Sequence, residues 1–411
     1  MSLFVIGYYT LILAASCLAA YFNKRSAFLL LFSLTLVSFI LGIIGGVGAL
    51  KIVVISAGAI GLSAMVSYAF REFLIILAPL EVAKELRTAP LTAAFGMFVI
   101  ATYAIAGIFA PWIAPYGESE IISSAFAPAD ANMLLGADQL GRDMFSRIIY
   151  GTKNTVSLAL TGTVFAFALG ALAGLLAAAK SGWFDQSMGR IVDVIMSIPS
   201  LIFALLMLSI FGGSLAGPTT SIFLLGGFAI ITGLLVLAAV ADNLTGWLIG
   251  LAILLGVATV FAYVMAWLFD SSEVILILVV AVIYSPRVFR LTRAVAGNVV
   301  VMDYIEAAKL RGERTWYLIR REVLPNSKAP LIAEFGLEFC FVFLLIAGLS
   351  FLGLGIQPPT ADWGSMVREN ATLISFGDPT PLIPAAAIAL LTVGVNFVVD
   401  WMLHRSSGLK E

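Results

Sequence analysis

The chain has 411 residues, of which 61% are hydrophobic and 11% charged, with a formal net charge of -1. A soluble domain carries roughly 25% charged residues, so this composition excludes a water-soluble fold and points to a protein dissolved in lipid. The balanced charge gives no reason to expect nucleic acid. One histidine (His404) and two cysteines (Cys17 and Cys340) in apolar runs exclude a disulfide framework and any metal-type spacing.

Apolar runs near the ~20 residues that a bilayer demands predict eleven spans. They lie at about 3–22, 27–49, 52–70, 90–113, 155–180, 191–212, 219–241, 246–268, 274–291, 330–355 and 381–403. Ala14-Ala-Ser-Cys17 faintly resembles a lipoprotein cleavage box, but no basic stretch precedes it, so the first run reads as a retained helix. Placing the charged segment 303–328 inside puts 18 of the 23 lysines and arginines on the inner face, as the positive-inside rule asks. The N-terminus is then expected outside and the C-terminus inside. Two long outer loops follow, 114–154 and 356–381. In the first, Asp138 to Tyr150 reads as a short amphipathic helix.

The segment 303–328 is a polar island in an apolar chain. Asp303 and Glu306 have the spacing of a capping pair, and Gly312 falls where a helix end wants a left-handed residue. The spacing predicts a two-turn helix over 304–311 with Tyr304, Ala307, Ala308 and Arg311 on one face. A second stretch, with Trp316, Ile319 and Val323 on one side, is expected to lie at the headgroups and to stop at Pro325. From the residues alone, a docking handle and an ordinary re-entry loop both stay open.

Inside the tenth run, Glu334 and Glu338 share a face. A carboxylate facing lipid is costly, so two readings stand: lining of a pathway, or a hydrogen bond between subunits. Asp193 and Asp400, near span ends, read as solvated or capping. Gly348 to Gly355 reads as a close-packing stretch. Asp138, Arg142, Asp143, Asp362 and Trp363 are candidate outer-face contacts, with a solvated loop as the alternative. A proton-coupled secondary transporter using Glu334 and Glu338 is the competing functional class.

Four stretches carry a resemblance. Glu306-Ala307-Ala308, with Gly312 and then Leu324-Pro325, resembles the EAA loop of binding-protein-dependent ABC import permeases. Val323 takes the hydrophobic place as in the dipeptide/oligopeptide branch. Gly136 to Arg147, Val192 to Leu201 and Ser350 to Gly364 resemble words of its C-type subunit, with Ala137 for Thr and Asp362 for Ser.

The resemblance implies an all-α polytopic membrane protein with a type I importer core of six helices plus about five more. The core would lie at 85–213 and 273–405. An N-terminal region at 1–80 and an inserted helix pair at 214–272 would be additions. It also implies a non-catalytic permease that imports peptides and holds no cofactor, ATP being bound by its partners. Those partners would be a second permease, two ATP-binding subunits and an extracytoplasmic substrate-binding protein, in a prokaryotic cell membrane. Glu306, Ala307, Ala308, Gly312, Leu324 and Pro325 would couple it to the ATPases. No phosphate-binding loop contradicts this, since Gly174 to Ser181 has Ala179 where that motif needs glycine.

Overall fold

A computed structural model describes residues 48–180, 182–211, 218–240 and 271–406, with isolated positions elsewhere. The expected span at 3–22, and most of 27–49 and 246–268, lie outside the described residues. Within them the helices, in chain order, are α1 (Gly48–Leu77), α2 (Leu80–Arg87), α3 (Leu91–Ile108), α4 (Ala110–Ile113), α5 (Met144–Lys180), α6 (Trp183–Ser197), α7 (Ser200–Phe211) and α8 (Pro218–Val240). They continue with α9 (Ser271–Val300), α10 (Asp303–Leu310), α11 (Thr315–Tyr317), a π-helical segment (Leu318–Val323), α12 (Leu324–Phe351), α13 (Trp363–Asn370), a 3-10 turn (Ala371–Phe376) and α14 (Leu382–Ser406). Among the described residues, six helical stretches are long and apolar enough to cross a membrane, at the places expected for 52–70, 90–113, 155–180, 274–291, 330–355 and 381–403.

The expected span 191–212 is not one straight helix. α6 and α7 meet at an 85° bend. Pro199 explains it, because a proline pushes the residue before it out of the helical region, and Ile198 is indeed extended (ψ 127°). The amphipathic helix expected over 138–150 is also corrected. Residues 138–143 are loop, and from Met144 one 37-residue helix runs unbroken to Lys180.

The chain divides into two compact units. One comprises residues 1–101 with 393–401, the other 102–392 with 402–411. In the first, Phe70 packs edge-on against Phe98 and Phe95 against Phe397. Gly96 lies so close to Gly394 that a side chain there would meet its carbonyl at 2.2 Å. Arg71 donates to the Ala89 carbonyl at 2.9 Å, closing the turn after α2.

The second unit is built around α9. Residues 274–281 of α9 are all buried, which a continuous Val/Ile/Leu run requires of a central helix. Its chief neighbour is α5. Gly162, Gly170 and Gly174 of α5 face Val280, Ser285 and Phe289 of α9, where a methyl group would meet its neighbours at 3.3, 2.5 and 2.8 Å. Small residues let two backbones approach where apolar solvent supplies no hydrophobic drive. On the other flank, the Tyr284 hydroxyl donates to the Phe341 carbonyl at 3.0 Å, pinning α9 to α12.

Candidate functional site

The charged island folds as a short helix on a hard seat. α10 spans Asp303–Leu310 and ends in a Schellman arrangement. The Glu313 amide donates to the Ala308 carbonyl (3.2 Å), the Gly312 amide to that of Lys309 (2.9 Å), and Gly312 has φ +83°. The C-terminal stop is therefore as the spacing predicts. The N-terminal one is not: Met302 occupies the cap position and no side chain bonds there, so Asp303 and Glu306 act only as charges favourable to the first turn.

Ile305 is fully buried, in a cluster with Leu175 and Leu176 of α5, Ala296 and Val299 of α9, and Ile319 and Val323. Ala308 is buried too, which corrects its placement on the docking face. The outward surface is formed by Tyr304, Glu306, Ala307 and Leu310, the last 84% exposed. Leu310 escaped the sequence reading, although its spacing from Tyr304 and Ala307 is helical. Asn326 donates to the Tyr304 hydroxyl (3.2 Å) and to the Glu322 carbonyl (2.7 Å). The two halves of the sequence motif, 304–308 and 323–326, thus meet in space, with Leu324 and Pro325 exposed at the rim.

Pro325 does not stop a helix. It stands in the first turn of α12, directly after the π-helical turn 318–323. A proline ring clashes with the carbonyl four residues back, and the wider π turn makes the room. Thr315 to Phe351 consequently behaves as one membrane-length stretch. Gly348 to Gly355 is also reassigned: α12 ends within it, in a second Schellman arrangement around Gly353 (φ +90°), where the Leu354 amide reaches the Leu349 carbonyl.

The five candidate outer contacts turn inward. Asp138, Arg142, Asp143, Asp362 and Trp363 are each 2% exposed or less. Arg142 pairs with Asp138 (2.7 Å) and Glu369 (2.9 Å), and Arg147 reaches the same two acids at 3.1 and 3.3 Å. Two buried cations and two buried anions neutralise one another between loops far apart in the chain. Asp143 caps α5 by accepting from the Ser146 amide and hydroxyl. Trp363 donates its indole N–H to the Ile148 carbonyl (3.0 Å), lies edge-on to Tyr103 and Phe343, and fits because residue 151 is glycine. Asp362 accepts from the Ser365 amide and the Thr155 hydroxyl. Burial nevertheless holds its carboxyl above the usual aspartate range. These residues brace the loops from within and offer no face to a visitor.

Glu338 is 1% exposed and Glu334 half-buried. Both feel the charge of Arg287 on α9 without forming an ion pair with it among the described residues. A fully buried Glu338 does not line an open channel in this chain. Asp193 is not merely solvated. It pairs with Arg290, and Asp185 pairs with Arg293, joining α6 to the end of α9 that leads into α10.

Comparison with known proteins adds to this geometry. The di/tripeptide transport system permease protein DppC of Pseudomonas aeruginosa is 28% identical over 312 residues, covering 74% of this chain and 84% of that protein. A probable D,D-dipeptide transport system permease protein, DdpC of Escherichia coli, is 28% identical over 77% of this chain and 86% of its own length. The glutathione transport system permease protein GsiD of Pectobacterium atrosepticum is 26% identical over 75% and 83%. The family described as the binding-protein-dependent transport system inner membrane component matches residues 168–407, from the middle of α5 past the end of α14. A proton-coupled secondary transporter is thereby set aside. The chain is a non-catalytic, multi-pass membrane protein, and it belongs to the family of inner membrane components of binding-protein-dependent transport systems.

Proposed function

We propose that this chain is one of two permease subunits of an ATP-driven peptide importer, and that α10 is the element through which ATPase subunits drive it. The observation that carries this reading is the contrast within α10. Its root is locked by Ile305 into the packing of α5, α9 and the π segment, while its tip, around Ala307 and Leu310, is exposed. A push on the tip is transmitted to both flanking spans without being absorbed in a flexible loop. Di- or oligopeptides are the solute class favoured by the names of the relatives. ATP would be held by two partner chains and the solute delivered by a binding protein outside, with the N-terminus outside and the C-terminus inside. The segments at 1–80 and 214–272 would be additions to the six-helix core.

Gly312 provides the test. A side chain there would meet nothing within 4 Å, so only the left-handed backbone resists substitution. A β-branched residue at positive φ is a genuine outlier. Gly312→Val is expected to lower peptide uptake and the ATPase stimulation given by loaded binding protein at least tenfold in proteoliposomes, with membrane insertion unchanged. Gly312→Asn, tolerated in this conformation, should retain most of both. Full uptake by the valine variant would remove α10 as the coupling element.

A further inference from the structure

Arg287, Arg290 and Arg293 follow one another at three-residue intervals along α9, so they climb one side of it. Two of them have matched partners on the antiparallel α6: Arg293 with Asp185 and Arg290 with Asp193. The next partner, at the same spacing along α6, would fall beyond the 85° break at Ile198-Pro199. There, among the described residues, no carboxylate stands, only a cavity of about 150 Å³ bounded by Ile198, Pro199, Ser200, Phe203, Ile283 and Arg287 itself.

Arg287 is nonetheless held in place. Its guanidinium lies 5.3 Å from the ring centre of Tyr284 and 5.2 Å from that of Phe341, contacts that orient a cation without using up its N–H donors. Tyr284 is itself fixed by its bond to the Phe341 carbonyl. Among the described residues Arg287 forms no ion pair. It stands about 24 Å along α9 from Ser271, four residues short of the inner end of the expected span 274–291, and is exposed in this chain. An arginine within a span is seldom left without an anionic neighbour, and its planar fork matches a carboxylate or a phosphate.

Resting on the reading of the chain as a peptide permease, we propose that Arg287 is a solute contact: the cavity at the break of α6 and α7 receives the carboxylate of a passing peptide, supplying the third anion of the ladder. That space admits a carboxylate and the carbons next to it. Glu334 and Glu338, which feel the Arg287 charge from α12, keep the neighbourhood from being uniformly positive, so the bound anion is not trapped.

The test uses the full complex in proteoliposomes, with labelled alanyl-alanine and loaded binding protein. Arg287→Gln is expected to lower peptide moved per ATP hydrolysed about tenfold, while ATPase stimulation stays within twofold. Arg287→Lys should recover at least a third of the wild-type ratio. A dipeptide carrying a photoreactive side chain, irradiated during turnover, should label residues within 195–203 and 283–287, and the glutamine variant should lose that label. An unchanged transport ratio in Arg287→Gln, or labelling elsewhere, overturns the assignment while leaving the peptide-permease reading intact. Loss of complex assembly in the glutamine variant gives Arg287 to a subunit contact and overturns it as well. If the wild-type complex hydrolyses ATP but moves no peptide, both readings fall.

Discussion

The loop segments 136–147 and 362–370 and the α10 seat are both dense in charge, yet they treat it in opposite ways. At 136–147 and 362–370 the charges are inside: Arg142, Arg147, Asp138 and Glu369 are paired and shut off from water. At 303–314 the apolar residues Ile305 and Ala308 are inside and the charges are out. The first region is braced against movement by its own side chains, and the second presents a surface to something else. A motif rich in charge therefore does not announce a contact face. Whether its charges find partners in the same chain decides what it does.

The most severe way to break this contrast is Arg147→Ala. It leaves Asp138 and Glu369 with one cation instead of two in a dry site, which typically costs 3–5 kcal/mol. Thermal melting of the detergent-solubilised protein should drop steeply, and a melting point within a degree of wild type would mean the network is wetter than it looks.

Leu310→Asp works on the opposite side of the comparison. Leu310 touches little of its own chain, so stability should hold. Affinity for the ATPase subunit, titrated onto the purified permease, should fall about tenfold, roughly 1.4 kcal/mol. Unaltered binding would shift the contact surface away from the α10 tip.

Asp362→Asn should have the smallest effect. Asparagine keeps the cap acceptor and ranks with aspartate at that position, so less than about 1 kcal/mol should be lost at neutral pH. The wild-type carboxyl is raised by burial and binds protons more readily folded than unfolded. Its share of stability is thus fullest in acid and declines as pH climbs from the ordinary aspartate value through the raised one. The asparagine variant should flatten that slope; a slope that persists would place its source elsewhere.

Helix ends and spans were legible wherever one local rule decides them. Gly312 marks the end of α10 because only backbone conformation matters there. Apolar length located six membrane-crossing helices. Pro199 carried the break between α6 and α7 in plain view, and apolar continuity across 191–212 masked it. What was illegible depends on partners remote in the chain. Arg142 and Arg147 look like loop charges until Glu369, more than two hundred residues on, is brought beside them. Ala308 was likewise misread because its burial depends on what packs behind α10. Asp193, by contrast, is exposed as expected near a span end and gains a partner that only Arg290 of α9 reveals. Pro325 looked like a terminator because the π turn that accommodates it has no simple sequence signature.

The unbroken length of α5 has a mechanical corollary. Its 37 residues contain no proline and form a rod about 55 Å long. Arg147 is clamped near one end, and Leu175 and Leu176 press on Ile305 near the other. With the clamped end as a pivot, a tilt of about 5° sweeps the far end by about 5 Å. A displacement of that size applied beside Ile305 would reach the opposite side of the bilayer as a change of angle.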